Sequence, residues 1–255
     1  MPEPLSIIVT LALGLAIGSF LNVCIHRIPR GESVVSPGSR CPACRQPVRW
    51  HDNLPVLGYI LLRGRCRDCG TRFSVEYPLV EAATAATFLL LYWWYGWQPL
   101  LATRWLFSAA MIVLFMIDLH HRILPNGITL PGIAVGFVCS VFLPPGWWSS
   151  LVGLALGGGV LLAIGELYYR IRGEEGLGMG DVKMLAMIGA FLGWRLTIVT
   201  LVFSSFLGSA VGLGLIATGR GSMKYALPFG TFLAVAAVVS ALVGEAILAW
   251  YLTFY

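Results

Sequence analysis

The chain has 255 residues, of which 58% are hydrophobic and only 11% are charged, and its formal net charge is +5. An ordinary soluble domain carries about 25% charged residues. So few charges cannot cover a water-facing surface, which excludes a soluble globular enzyme and a disordered chain and predicts a membrane protein.

Apolar segments follow one another along the whole chain. A helix needs about 20 apolar residues to cross a bilayer. Charged and proline-rich positions divide the chain into eight candidate spans, which are residues 4–25, 82–103, 105–117, two halves of 123–165 separated at Pro144-Pro145-Gly146, 182–194, 196–219 and 226–252. We therefore predict an all-α polytopic membrane protein of about eight transmembrane helices. Glycines four residues apart within these spans predict close helix packing; the pairs are Gly14/Gly18, Gly132/Gly136, Gly153/Gly157 and Gly208/Gly212.

The distribution of basic residues predicts the orientation. Lysine and arginine concentrate in cytoplasmic loops. With the N-terminus outside, the inner segments hold 15 of the 17 basic residues, and these segments are 26–77, 118–126, 170–183 and 219–227. Arg104 and Arg195 are then expected outside. The start, Met-Pro-Glu-Pro, lacks the basic region of a secretory signal, so the first span is expected to be retained.

The segment 26–77, between the first two predicted helices, contains two CxxC pairs. Cys41 and Cys44 form the first pair, and Cys66 and Cys69 form the second after 21 intervening residues. This spacing is typical of a four-thiolate zinc site, so we predict a small cytoplasmic zinc-ribbon-like domain held together by structural zinc. Two disulfides are the alternative, which the reducing cytoplasm disfavours. The arginines around the cysteines are explained by topology and anionic lipids, and we expect no nucleic-acid partner.

Two aspartates lie at the inner ends of predicted spans. Asp118 ends the third span, and Asp181 opens the sixth within Gly178-Met179-Gly180-Asp181. Each alone is explained as a solvated helix cap, but two at matched depth predict a functional pair. Facing carboxyl groups share one proton and can act as base and acid in peptide hydrolysis without a metal.

Several neighbouring residues are weaker candidates. Glu166 is either a helper near the site or a snorkelling carboxylate, and His120 and His121 are either proton carriers or loop residues. Lys183 either changes the pKa of Asp181 or anchors its helix at the lipid headgroups.

At these motifs the chain resembles the type IV leader peptidase family, the bacterial prepilin peptidases that are GxGD membrane aspartic proteases. The resemblance covers nearly all 255 residues and rests on an ordered set of motifs. These are Gly18-Ser19-Phe20-Leu21-Asn22-Val23 with His26-Arg27-Ile28-Pro29, the paired CxxC motifs, Glu76-Tyr77-Pro78-Leu79-Val80-Glu81, Asp118 with Leu124-Pro125-Asn126, Gly178-Met179-Gly180-Asp181, and Pro228-Phe229-Gly230.

The resemblance implies two activities. One is cleavage of the leader peptide of prepilins or pseudopilins after a glycine, with Asp118 and Asp181 as catalytic residues. The other is N-methylation of the new N-terminal residue with S-adenosylmethionine, whose site it leaves unknown. Gly178, Gly180, Lys183, Pro228, Phe229 and Gly230 are implied to support the active-site loops. Glu174 and Glu175 are either contacts for the basic leader or residues of a solvated loop.

The resemblance also implies a multi-pass protein of the bacterial inner membrane that serves type IV pili or type II secretion, with its active site at the cytoplasmic face. The expected organisation is a first transmembrane helix in 1–25, the cysteine domain in 26–77 and the protease bundle in 78–255.

Two other functions remain open: an ion-coupled transporter with a carboxylate pair, or a membrane-anchored zinc-ribbon adaptor.

Overall fold

The computed structural model describes residues 3–174, 178–219 and 227–254. Within those ranges the chain is helical, apart from loops and two isolated β-bridges in the cysteine region. The helices are α1 (Glu3–Arg27), α2 (Leu57–Leu61), α3 (Glu76–Tyr95), α4 (Pro99–His121), α5 (Asn126–Phe142), α6 (Trp147–Arg172), α7 (Met179–Ala217) and α8 (Phe229–Leu252). The predicted all-helical fold class is confirmed.

Five of these helices are long and apolar enough to cross a membrane, namely α1, α4, α6, α7 and α8. The helix α5 is apolar but has only 17 residues. The helix α7 contains both the sixth and the seventh predicted spans. The protein is therefore a multi-pass membrane protein.

The chain forms two compact units, residues Met1–Trp97 and Gln98–Tyr255. In the first unit, α1 packs along α3 at its glycines. A Cβ atom at Gly14 would lie 2.6 Å from the Cα of Ala85, and one at Gly18 would lie 2.7 Å from the Cα of Glu81. Only glycine allows this approach, as predicted for the first glycine pair.

In the second unit, α7 is the central helix, and α6 lies against it. A Cβ atom at Gly153 would lie 2.6 Å from the carbonyl oxygen of Gly189, and one at Gly157 would lie 2.5 Å from that of Leu185. Backbone therefore packs on backbone here. The pair Gly208/Gly212 behaves differently, because Cβ atoms there would make only ordinary contacts at 3.5 and 3.4 Å.

The helix α7 is broken at Gly193, which has φ 77° and ψ 171°. A break leaves the carbonyl groups of the preceding turn without their helical partners. Side chains of neighbouring helices replace them: the Ser150 hydroxyl donates to the carbonyl of Ala190 at 2.7 Å, and the Arg104 guanidinium donates to that of Phe191 at 3.0 Å. The break separates the two predicted spans that α7 contains.

The predicted boundary between the second and third spans was wrong. It lay at Arg104, but the chain turns at Gly96, which has φ 65°, and α4 begins at Pro99. Arg104 consequently lies in the second turn of α4 and is 5% exposed. Its bond to the broken turn of α7 explains how a guanidinium is accommodated there.

Candidate active site and cysteine cluster

Asp118 lies in the last turn of α4 and is 5% exposed. The helix ends directly after it, at Arg122, which adopts a left-handed conformation with φ 54° and donates its backbone N–H to the carbonyl of Asp118 at 2.9 Å. The chain then turns through Leu124 and Pro125 into α5. Because α4 stops abruptly at Arg122, the segment that follows stays at the same end of the unit as Asp118.

The N-terminus of α8 meets the Asp118 carboxylate. Pro228 precedes that helix and supplies no side-chain cap. Instead, Asp118 Oδ2 accepts the backbone N–H of Thr231 at 2.7 Å and lies 3.3 Å from the Thr231 hydroxyl. A carboxylate is favoured at a helix N-terminus by the free N–H groups and the dipole. Asp118 thus caps a helix that lies 113 residues further along the chain.

Asp181 lies in the first turn of α7 and is half-buried. Its backbone N–H donates to the carbonyl of Gly178 at 3.1 Å. A Cβ atom at Gly178 would lie 3.4 Å from Asp181 Oδ2, so the loop folds back over its own carboxylate. The preceding residue, Gly180, packs against Leu124 in the segment that follows Asp118. The two aspartates, distant in sequence, therefore lie at one end of the second unit.

Leu124 lies between the first turns of α7 and α8. A Cβ atom at Gly180 would be 2.9 Å from the Cβ of Leu124. A Cβ atom at Gly230 would be 2.9 Å from both Leu124 Cδ1 and Asp118 Oδ2. Any side chain at either glycine would push Leu124 away and, at Gly230, the carboxylate as well.

Lys183 joins the two aspartate motifs through a hydrogen bond. Its Nζ atom donates to Asn126 Oδ1 at 2.9 Å. Asn126 is the first residue of α5, in the segment that follows Asp118, and Lys183 follows Asp181 on α7. The lysine side chain is thus held toward the loop between α4 and α5.

The remaining weaker candidates that the structure describes are exposed side chains. Glu166 is on an exposed face of α6 and pairs with Arg170 at 2.7 Å, as expected of a surface carboxylate. His120 and His121 are exposed at the end of α4. Glu174 is exposed, and Glu175 lies outside the described residues.

Sequence reasoning missed the contacts of Thr231 and Leu124. Leu124 was part of a recognised motif, but nothing in its spacing indicated a contact with both Gly180 and Gly230. Thr231 carried one usable signal: it is the third residue of a helix whose N-cap is a proline, so the first turn needs an acceptor from elsewhere.

The four cysteines of the CxxC pairs converge in the first unit. Their sulfur atoms all lie within 4.8 Å of one another, with Cys41 and Cys69 at 3.7 Å and Cys44 and Cys66 at 4.0 Å. A tetrahedral zinc ion with Zn–S bonds of about 2.3 Å would separate its sulfurs by about 3.8 Å. The donor set and its spacing therefore fit a metal ion.

The two CxxC pairs are built alike, at an offset of 25 residues. Cys41 N–H donates to the Gln46 carbonyl at 2.9 Å, and Cys66 N–H donates to that of Thr71 at 2.8 Å. Arg45 and Gly70 occupy the same place in the two turns, with φ 60° and φ 72°. The repeated Arg-Cys-x-x-Cys pattern was the sequence signal for this internal repeat.

The thiols differ in their readiness to ionise. Hydrogen bonds with the side chain and backbone of Thr71 lower the pKa of Cys69 to about 6. For Cys44, a backbone hydrogen bond from Gln46 acts in the opposite direction, but burial and the three neighbouring thiols raise its pKa to about 12. Four thiolates so close together need a cation between them, as a metal centre provides.

Comparison with known proteins assigns both units. Residues 12–95 match the bacterial peptidase A24 N-terminal domain, and residues 105–213 match the type IV leader peptidase family. A protein of Pseudomonas putida is 36% identical over 94% of this chain and 92% of its own length. The chain belongs to the type IV leader peptidase family. The predicted family is thus confirmed, and both aspartates lie within the second match.

Two further relatives carry the same name as the Pseudomonas putida protein, "Prepilin leader peptidase/N-methyltransferase". One from Pseudomonas aeruginosa is 31% identical over 99% of this chain and 96% of its own length. One from Myxococcus xanthus is 40% identical over 85% of this chain, which spans 65% of that relative. No solved structure matches the chain.

Proposed function

We propose that this protein is a prepilin leader peptidase that also methylates the N-terminus it exposes. Asp118 and Asp181 are its catalytic residues, and Gly178, Gly180, Lys183, Pro228, Phe229 and Gly230 position them. The observation that carries the proposal is that both aspartates lie beside Leu124 at one end of the second unit, with Asp118 buried against the start of α8. The relatives' shared name supports the same activity.

The arrangement suits hydrolysis by a shared proton. Two nearby carboxyl groups do not ionise together readily, so the pair holds one proton between them. The ionised member takes a proton from a water molecule, whose oxygen attacks the scissile carbonyl carbon. The protonated member gives its proton to the carbonyl oxygen. The aspartate that took the proton from water then gives it to the amide nitrogen, and the other aspartate takes a proton from a hydroxyl group of the tetrahedral adduct. The C–N bond breaks, the amine and the new carboxyl group leave, and the pair again holds one proton.

The described hydrogen bonds of the Asp118 side chain fall on Oδ2. They fix the plane of the carboxyl group, so that Oδ1 is the oxygen left to face water and substrate. Leu124, held between Gly180 and Gly230, fixes the first turns of α7 and α8 relative to each other. Such positioning contributes to rate because reacting groups must be held within a fraction of an ångström.

The cofactors follow from the same proposal. Zinc bound by Cys41, Cys44, Cys66 and Cys69 would stabilise the first unit rather than take part in hydrolysis. S-adenosylmethionine would supply the methyl group for the new N-terminal residue. The substrates are prepilins or pseudopilins, and the protein would act in the bacterial inner membrane with its aspartates at the cytoplasmic face, where the basic segments lie.

The two alternative functions are not favoured. A transporter does not account for the match to a peptidase family over residues 105–213. A passive zinc-ribbon adaptor gives no reason for burying Asp118 beside a second acid. The test is incubation of the purified, detergent-solubilised protein with a prepilin substrate, with and without S-adenosylmethionine, followed by mass spectrometry. We expect loss of the leader mass in both reactions and one added methyl group only with the methyl donor; an intact substrate would contradict the proposal.

A further inference from the structure

The first unit contains an open cleft that hydrolysis does not use. Its cavity volume is about 190 Å³, within about 990 Å³ of empty space that includes the open mouth. Ligand pockets typically measure about 300–1,000 Å³, so a small-molecule ligand would fill this cavity and extend into its open mouth.

Two recognised motifs of the sequence meet in this cleft, although the peptidase mechanism assigns them no role. Ser19, Asn22 and Arg27 line it from the first motif on α1, and Tyr77 and Glu81 line it from the motif that begins α3. Asn22 Nδ2 donates to the Tyr77 carbonyl at 3.0 Å, which joins the two motifs directly. The cleft is thus built by α1 and α3 rather than left between loops.

A carboxyl group forms the floor of the cleft. Glu81 is 7% exposed, and its Oε2 atom accepts the backbone N–H of Val56 at 2.7 Å. Val56 has φ 60° and ψ −48°, a conformation that a β-branched residue rarely adopts. Strained backbone of this kind persists where the surroundings hold it, often at ligand sites. Glu81 therefore fixes the cleft wall at one of its oxygens.

The rest of the lining complements a ligand with an aromatic part and separated charges. Tyr59, Phe73 and Tyr77 contribute aromatic rings, which stack on flat bases and attract cations. Arg40 lines the same cleft but is exposed, so positive charge lies at the rim and negative charge at the floor.

We propose that this cleft is the binding site for S-adenosylmethionine, with the sulfonium group toward Glu81, adenine against the aromatic rings and the methionine carboxylate toward the arginine rim. The inference rests on the proposed methyltransferase activity and adds its missing site. A basic leader peptide is a less suitable occupant, since the exposed Arg40 at the rim repels it.

Glu81→Gln removes the negative charge but keeps the hydrogen bond, because the amide oxygen of glutamine still accepts the Val56 N–H. Binding is measured by titration calorimetry on the full-length, zinc-loaded protein in detergent, with S-adenosylmethionine and with S-adenosylhomocysteine, which lacks the positive charge. Glu76→Gln is the matched control, since it removes the same charge from an exposed position in the first turn of the same helix. Phe73→Ala is a second variant that tests the aromatic wall.

We expect Glu81→Gln to weaken S-adenosylmethionine at least about tenfold and the uncharged analogue about threefold or less. Phe73→Ala should weaken both ligands, Glu76→Gln neither, and all three variants should cleave leader peptide at the wild-type rate. Equal losses for both ligands in Glu81→Gln, or wild-type binding in both cleft variants, would overturn the site. If the variants bind normally and the wild type methylates, only this inference fails; if the wild type neither binds the donor nor methylates, the proposed methyltransferase activity fails with it.

Discussion

Replacing Gly230 by alanine tests whether the contact between α8 and Asp118 matters for catalysis. The new Cβ atom would lie 2.9 Å from Asp118 Oδ2 and 2.9 Å from Leu124 Cδ1, whereas ordinary contacts begin at 3.4 Å. The carboxylate and Leu124 must therefore retreat by about 0.5 Å. Overpacking of this kind costs about 1–3 kcal/mol.

The rate effect follows from the displaced carboxylate. A shift of about 1 Å in a reacting group can reduce the rate about 100-fold, so half that shift should reduce kcat about 10- to 100-fold. The assay is the initial rate of leader cleavage by purified protein at saturating prepilin. Gly127→Ala is the control, because Gly127 lies in the first turn of α5 and a Cβ atom there meets nothing within 4 Å. Gly230→Ala activity within about threefold of this control would refute the reasoning.

Three further outcomes are expected. Thr231→Val should lower the kcat of leader cleavage about tenfold, because it removes the hydroxyl that donates to the Pro228 carbonyl and lies 3.3 Å from Asp118 Oδ2. Thr231→Ser keeps that hydroxyl and should cleave close to the wild-type rate; equal rates in both variants would show that the hydroxyl has no role. Removal of zinc with a chelator should make residues 26–77 sensitive to trypsin while the second unit stays intact, as read by mass spectrometry; continued protection of residues 26–77 would contradict a structural metal. Arg45→Gly should raise the melting temperature of the zinc-loaded protein, because glycine adopts φ 60° without strain, as Gly70 does in the matching turn; a lower melting temperature would contradict that account.

The sequence predicted the helical fold and singled out the two aspartates because both inferences depend on local signals. Apolar runs mark membrane helices, and the recognised motifs surround Asp118 and Asp181. The boundary misplaced at Arg104 shows the limit of charge as a signal. In the structure a buried guanidinium is tolerated because a broken turn of α7 offers it a carbonyl group, whereas Gly96 and Pro99 mark the actual turn.

Long-range contacts could not be predicted in the same way. The bond from Thr231 to Asp118 joins residues 113 positions apart, and no periodicity connects them. The cleft above Glu81 likewise depends on how α1 and α3 approach at Gly18. The glycine spacing predicted that these surfaces approach closely, but not which partner helix each would meet.

The most direct test of the central claim is leader cleavage by Asp118→Asn and Asp181→Asn, each purified and shown to insert and melt like the wild type. Asparagine preserves the size of each side chain but can neither take nor give the shared proton. The proposal predicts that each variant loses at least about 1,000-fold in cleavage rate, within the range that general acid–base catalysis contributes. Cleavage by either variant within about tenfold of the wild-type rate would contradict the aspartate pair as the catalytic centre.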